Sequence, residues 1–143
     1  MDQARFAFQA RVLGGPLSLQ VKLDNSDVFD QELTDQWQII GHEFDDVDDT
    51  AHTITISLRD KQLTHTQVNE AGDIVADRVV EIQNFAFDDV MLGHVFVEHA
   101  VYQHNYNGHG PAVKEQFFGT MGCNGTITLQ FQGPLYLWLL EHM

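Results

Sequence analysis

The sequence predicts an all-β protein: a jelly-roll-like antiparallel β-sandwich in one domain, residues 1–143, closed by a short C-terminal helix or strand. Three observations carry this prediction. Segments 17–23, 53–58, 79–87 and 126–131 either alternate apolar with polar residues or run in β-branched residues suited to a pleated surface. Turn-forming clusters separate these segments, and many short strands punctuated by turns are the pattern of sandwiches and jelly rolls. Finally, 143 residues with a 43% hydrophobic share are enough for one real core, and no repeat, low-complexity stretch or linker divides them.

Taken in order, Phe6–Val12 reads as a first strand, ended by Gly14-Gly15-Pro16. In 17–23, Leu17, Leu19, Val21 and Leu23 share one face, while Ser18, Gln20 and Lys22 share the other. Asp24–Asp27 is a turn by composition, followed by the short Val28-Phe29. Trp37–Ile40 reads as a strand with Trp37 and Ile39 on one face, and Glu43–Asp49 as an exposed acidic loop. In 52–58, Ile54, Ile56 and Leu58 point inward. The stretch 66–82 joins a turn at Asn69, Glu70, Gly72 and Asp73 to a strand opened by Val79, Val80 and Ile82. That strand continues through Phe85 and Phe87, and its alternation falters at Gln83-Asn84, the mark of a bulge. Asp88-Asp89 turns the chain into the apolar Val90–Leu92. Residues 94–110 read as a long polar loop rich in histidine and asparagine. Asn124-Gly125 is a strong turn signal before the last clear strand, 126–131. Proline ahead of Leu135–Glu141 favours one or two turns of helix, with a terminal strand as the competitor. Leu19, Val21, Ile54, Ile56, Ile82, Ile127, Leu129 and Phe131 are the expected core.

Seven Lys and Arg stand against 21 Asp and Glu, a net charge of −14. Such a field repels a phosphate backbone and predicts no direct nucleic-acid binding. It keeps a particle soluble and attracts cations or a basic partner surface. No apolar run is long enough to span a membrane, and no secretory leader is expected from Met1–Arg5. A single cysteine, Cys123, excludes an internal disulfide.

The residue types associated with catalysis do not assemble into a constellation. His94, His99, His104 and His109 recur every five residues, which puts neighbours on opposite faces of a strand and off-register on a helix. Cys123 sits in a turn that feeds a strand, where a lone cysteine is usually an inert small hydrophobe. The pairs Asp45-Asp46, Asp48-Asp49 and Asp88-Asp89 are adjacent, so their side chains diverge in extended chain. Neither a phosphate-binding glycine loop nor a serine elbow is present, and the prediction is a protein that is not an enzyme. Oxygen ligands around Gly72 could hold a hard cation. The same composition makes a solvated hairpin, and both readings stand.

Two resemblances add to this. The segments Thr66–Asp77 and Gly122–Leu129, followed by Pro134–Glu141, resemble small virion proteins of tailed phages, particularly those infecting cyanobacteria. The likeness covers roughly residues 52–143. It implies a structural or accessory virion component of a tail, fibre, baseplate or capsid decoration, present in multiple copies or as a homo-oligomer among other virion proteins. Asp77-Arg78-Val79-Val80-Glu81-Ile82 is similar, more loosely, to the segment beside the calcium loop of calcium-dependent xylan-binding modules. That resemblance implies calcium as the one candidate ion, Asp73 and Asp77 as ligands with Asp60 and Asn69 behind them, and a host surface glycan as the alternative partner. Tyr102 and Tyr106, together with Asn105 and Asn107, are suitable sugar contacts. The apolar Leu135, Leu137, Trp138, Leu139 and Leu140 are the expected interface, either with another chain or with the protein's own sandwich.

Overall fold

The computed structural model describes residues 2–108 and 110–143. Along the chain run β1 (Asp2–Leu13), β2 (Ser18–Leu23), β3 (Ser26–Glu32), β4 (Gln38–Asp46), β5 (Ala51–Leu58), β6 (Gln67–Val68) and β7 (Ile74–Ala76). Then follow β8 (Val79–Phe87), β9 (Val90–Met91), α1 (His94–His99), β10 (Val101–His104), β11 (Val113–Gln116), β12 (Thr120–Met121), β13 (Gly125–Gln132) and α2 (Leu135–His142). One sheet has the order β12-β8-β1-β4 with β9 on β8; the other has the order β11-β10-β13-β5-β2-β3. All pairings are antiparallel, and the chain passes repeatedly from one sheet to the other. Among the described residues, β6 and β7 pair only with each other, as a hairpin. This is the antiparallel sandwich that the alternating segments predict. The C-terminal segment is helix rather than strand.

The register explains the core. Directly paired residues lie on the same face of a sheet, so Val21, Ile56, Ile127 and Tyr102 form one inward row across four strands. Ile54 and Leu129 extend the next row. From the facing sheet come Phe6, Phe8, Ala10 and Val12 of β1, and Val80, Ile82, Phe85 and Phe87 of β8. All eight expected core residues are buried. Rings close the gap between the sheets: Phe131 of β13 lies 4.6 Å from Phe87 and 5.3 Å from Phe44.

The bulge expected at Gln83-Asn84 is present. Pairing of β1 with β8 slips between Ala7↔Ala86 and Gln9↔Gln83, and Asn84 takes a φ of 57°. The extra residue resets the strand's parity, so Phe85 and Phe87 face inward together with Val80 and Ile82.

Two expectations change. The acidic stretch from Glu43 is not a loop; through Asp46 it is the end of β4, an edge strand on which exposed charge is ordinary. Ile39 is exposed and Trp37 lies at the surface, where Arg11 stacks 4.4 Å over its ring; Ile40 and Phe44 are the residues that β4 buries. The long polar loop at 94–110 contains α1 and β10, because Val95, Phe96, Ala100 and Tyr102 are apolar enough to dock on the core. His109 lies outside the described residues.

Candidate functional site

Residues nominated by sequence fall on two parts of the sandwich. The first is around Asp77, just before β8. Its Oδ1 accepts from the Lys61 ammonium at 2.7 Å, from the Thr66 hydroxyl at 2.6 Å and from the Arg78 N–H at 2.8 Å. Lys61 is buried, its side chain 1% exposed, and its Nζ also donates to the Gly122 carbonyl at 2.5 Å. The Lys61 backbone is clamped as well: its N–H donates to Asn124 Oδ1, and its carbonyl accepts from Asn124 Nδ2. Burial raises the Asp77 pKa, but the hydrogen bond and charge of Lys61, with the hydrogen bonds from the Thr66 hydroxyl and the Arg78 backbone N–H, outweigh it and hold the carboxyl below its ordinary value. The backbone at Gly14 fits only glycine here. Its φ is 91°, and a Cβ would stand 1.8 Å from the Asp77 carbonyl.

Asp77 therefore has a cation already, supplied by the chain itself. Asp73 is exposed on the β6–β7 turn, in different surroundings. That turn satisfies its own backbone, since Asn69 Oδ1 accepts from the N–H groups of Ala71 and Asp73. Asp60 accepts from the Ser18 N–H. Among the described residues, no three His, Cys, Asp or Glu side chains are grouped as metal ligands.

Tyr102 departs from the sugar-contact expectation because it is buried in the inward row of β10. Its hydroxyl donates to the Cys123 carbonyl and accepts from the Cys123 N–H. Burial pushes its pKa up to about 12. Tyr106 is at the surface, its ring edge-on to His104 at 4.8 Å. Asn107 accepts a hydrogen bond from the Asn124 N–H through its side-chain oxygen. His104 is buried and bonds Glu115 at 2.8 Å, whereas His94 is exposed at the start of α1. Cys123 is half-buried, and burial raises its thiol pKa, which works against use as a nucleophile.

The second part is α2. Leu135 and Trp138 are buried in the protein's own core, so for these two the expected interface is internal. Trp138 packs edge-on against Phe87 at 5.8 Å, and Leu139 is half-buried against the core. Leu137 and Leu140 face solvent with Tyr136 and Met143, Leu140 being 72% exposed. The helix is anchored at its start by Asp46, whose Oδ1 accepts from the Leu135 N–H at 2.9 Å and whose charge suits the positive end of a helix. At its end, His142 stacks on Trp138 at 4.5 Å and meets the ring of His99 at 4.6 Å.

Sequence reasoning missed Lys61, Asn124 and Asp46. Lysine is the residue type least expected inside, and nothing local marks Lys61 as buried; its partner and its acceptor lie 16 and 61 positions away. It also missed His52, on the inner side of a cleft beside α2, where Asp24 holds its Nδ1 at 3.0 Å. Compared with protein-family models, curated proteins and solved structures, the chain matches none of them.

Proposed function

We propose that this protein is a non-enzymatic structural or accessory component of a phage virion that works in multiple copies through protein–protein contacts. One observation carries the interaction reading. From Leu135 to Leu140 α2 is apolar on all sides, yet only Leu135, Trp138 and part of Leu139 are covered, leaving Tyr136, Leu137 and Leu140, with Met143 just beyond the helix, in solvent. A helix apolar all round is normally buried all round, and a contiguous apolar patch marks an interaction surface. The virion setting rests on the resemblance of the central and closing segments. The sandwich supplies a rigid base, with α2 fixed to both sheets through Trp138, Phe87 and Phe131.

The test is incorporation. Mass spectrometry of purified particles should detect the wild-type protein in multiple copies. Leu137→Asp with Leu140→Asp should fold with an unchanged circular dichroism spectrum and be lost from particles by at least about tenfold, since core anchors of an interface each contribute above about 1 kcal/mol. Particles that lack the wild-type protein, or that take up the double variant normally, would overturn this reading.

A further inference from the structure

Beside α2 lies a cleft of about 530 Å³, walled by the β4–β5 turn, the start of β5, the end of β13 and the helix itself. Its lining includes Asp49, His52, Gln130, Gln132, Leu137 and Glu141, and among its lining residues there is no lysine or arginine. Two carboxylates therefore come from different elements, Asp49 from the turn and Glu141 from the last turn of α2. Gln130 and Gln132 add two carboxamides to the same lining. Within this wall, His52 is fixed by Asp24 and carries a buried Nε2 with no hydrogen-bond partner among the described residues.

We infer that this cleft receives an arginine side chain from a basic segment of a partner chain lying along the exposed face of α2. The inference rests on the interaction reading above and names the partner's chemistry. A guanidinium presents five donors and no acceptor, which matches a lining of carboxylates and amide oxygens. Its stem is apolar and covers hydrophobic surface while the charged head stays at the polar rim, which matches Leu137 beside Glu141. Charge complementarity selects the occupant. With a net charge of −14, a second copy would bring more carboxylate to an acidic rim, whereas a basic segment is attracted and oriented by it.

The experiment uses a fluorescent peptide, acetyl-Leu-Arg-Leu-Arg-Leu-Arg-amide, titrated with the full-length protein and read by anisotropy. The citrulline peptide of the same shape is the neutral control. The arginine peptide should bind, and the citrulline peptide should bind at least about tenfold more weakly, as expected for loss of charge-assisted hydrogen bonds. Asp49→Asn with Glu141→Gln should cause a similar loss. Asp49 has a φ of 58°, which asparagine tolerates, and Glu141 is exposed, so this variant keeps the fold. Asp27→Asn with Asp30→Asn on β3 removes the same charge away from the cleft and should change affinity within about twofold. Equal binding of the citrulline peptide, no effect of the cleft variant, or an equal loss in the β3 variant would overturn the inference. So would binding of a neutral oligosaccharide, lost in the cleft variant, by a protein that ignores the arginine peptide. These results are read on isolated protein, so they fail independently of incorporation into particles.

Discussion

At the scale of single residues, Lys61 and Asp77 determine what the end of the sandwich beside β8 can do. A buried ammonium with a carboxylate and a carbonyl as acceptors is tolerable, whereas the same ammonium without the carboxylate is an uncompensated charge. Asp77→Ala should therefore destabilise the protein by about 3–5 kcal/mol in denaturant unfolding. Added calcium should leave the melting temperature of the wild type unchanged, because Asp77 is already neutralised. The pair also sets an acid limit. The folded pKa of Asp77 lies below its ordinary 3.8, so its contribution is complete above that value and is lost as pH falls through the lower folded pKa. Unfolding measured through that window should show a steeper acid limb in wild type than in Asp77→Asn. Equal limbs would mean that the ion pair contributes nothing to stability.

At the scale of elements, α2 shows how a short apolar helix is held on a sandwich. Eight residues are too few to be helical alone, so tertiary contacts supply its stability. Trp138 and Leu135 bury one face, and the Asp46 carboxylate, 89 positions earlier, satisfies the N–H of Leu135. Asp46→Ala should cost about 0.5–2 kcal/mol, the usual range for losing a capping carboxylate or hydroxyl. The loss should be local: hydrogen exchange should speed up in residues 135–142 and stay unchanged in β5 and β13. The β6–β7 hairpin is the contrasting case. It pairs with neither sheet, and its Val68, Ile74 and Val75 are exposed, so its form is set by its own strand pairing, the Asn69 turn and the Thr66–Asp77 hydrogen bond at its base.

At the scale of the molecule, cohesion runs through one aromatic cluster. Phe87 touches Phe85 in its own strand, Phe44 in β4, Phe131 in the opposite sheet and Trp138 in α2. Two sheets and a helix thus share one side chain. Phe87→Ala should cost about 3–5 kcal/mol, as for large aromatic truncations in a core. Because buried residues of both sheets and α2 form one cluster, the loss should appear as one lowered transition by both circular dichroism and tryptophan fluorescence. Two separated transitions would show that the sheets unfold independently.

How much of this was legible depends on range. The alternation of 17–23 and 53–58, the bulge at Asn84 and the self-satisfied turn at Asn69–Asp73 are local properties, so the sequence alone determined the all-β class and all eight expected core positions. Periodicity could not say which side of a strand faces the core when both sides are apolar, and so Ile39 and Ile40 were separated only by the pairing of β4 with β1. The polar clusters were beyond reach for a related reason. Tyr102 is aromatic and polar-tipped, and whether its hydroxyl meets solvent or Cys123 is decided by how β10 lies beside β13. Lys61, Asp77 and Gly122 meet only because strands far apart in the chain are brought to one end of the sandwich, and a lysine carries no local mark of burial. The sequence determined which residues could be buried, since transfer from water depends on side-chain type. Only the tertiary structure decided which polar groups would share that burial, since each needs a specific partner within hydrogen-bond distance.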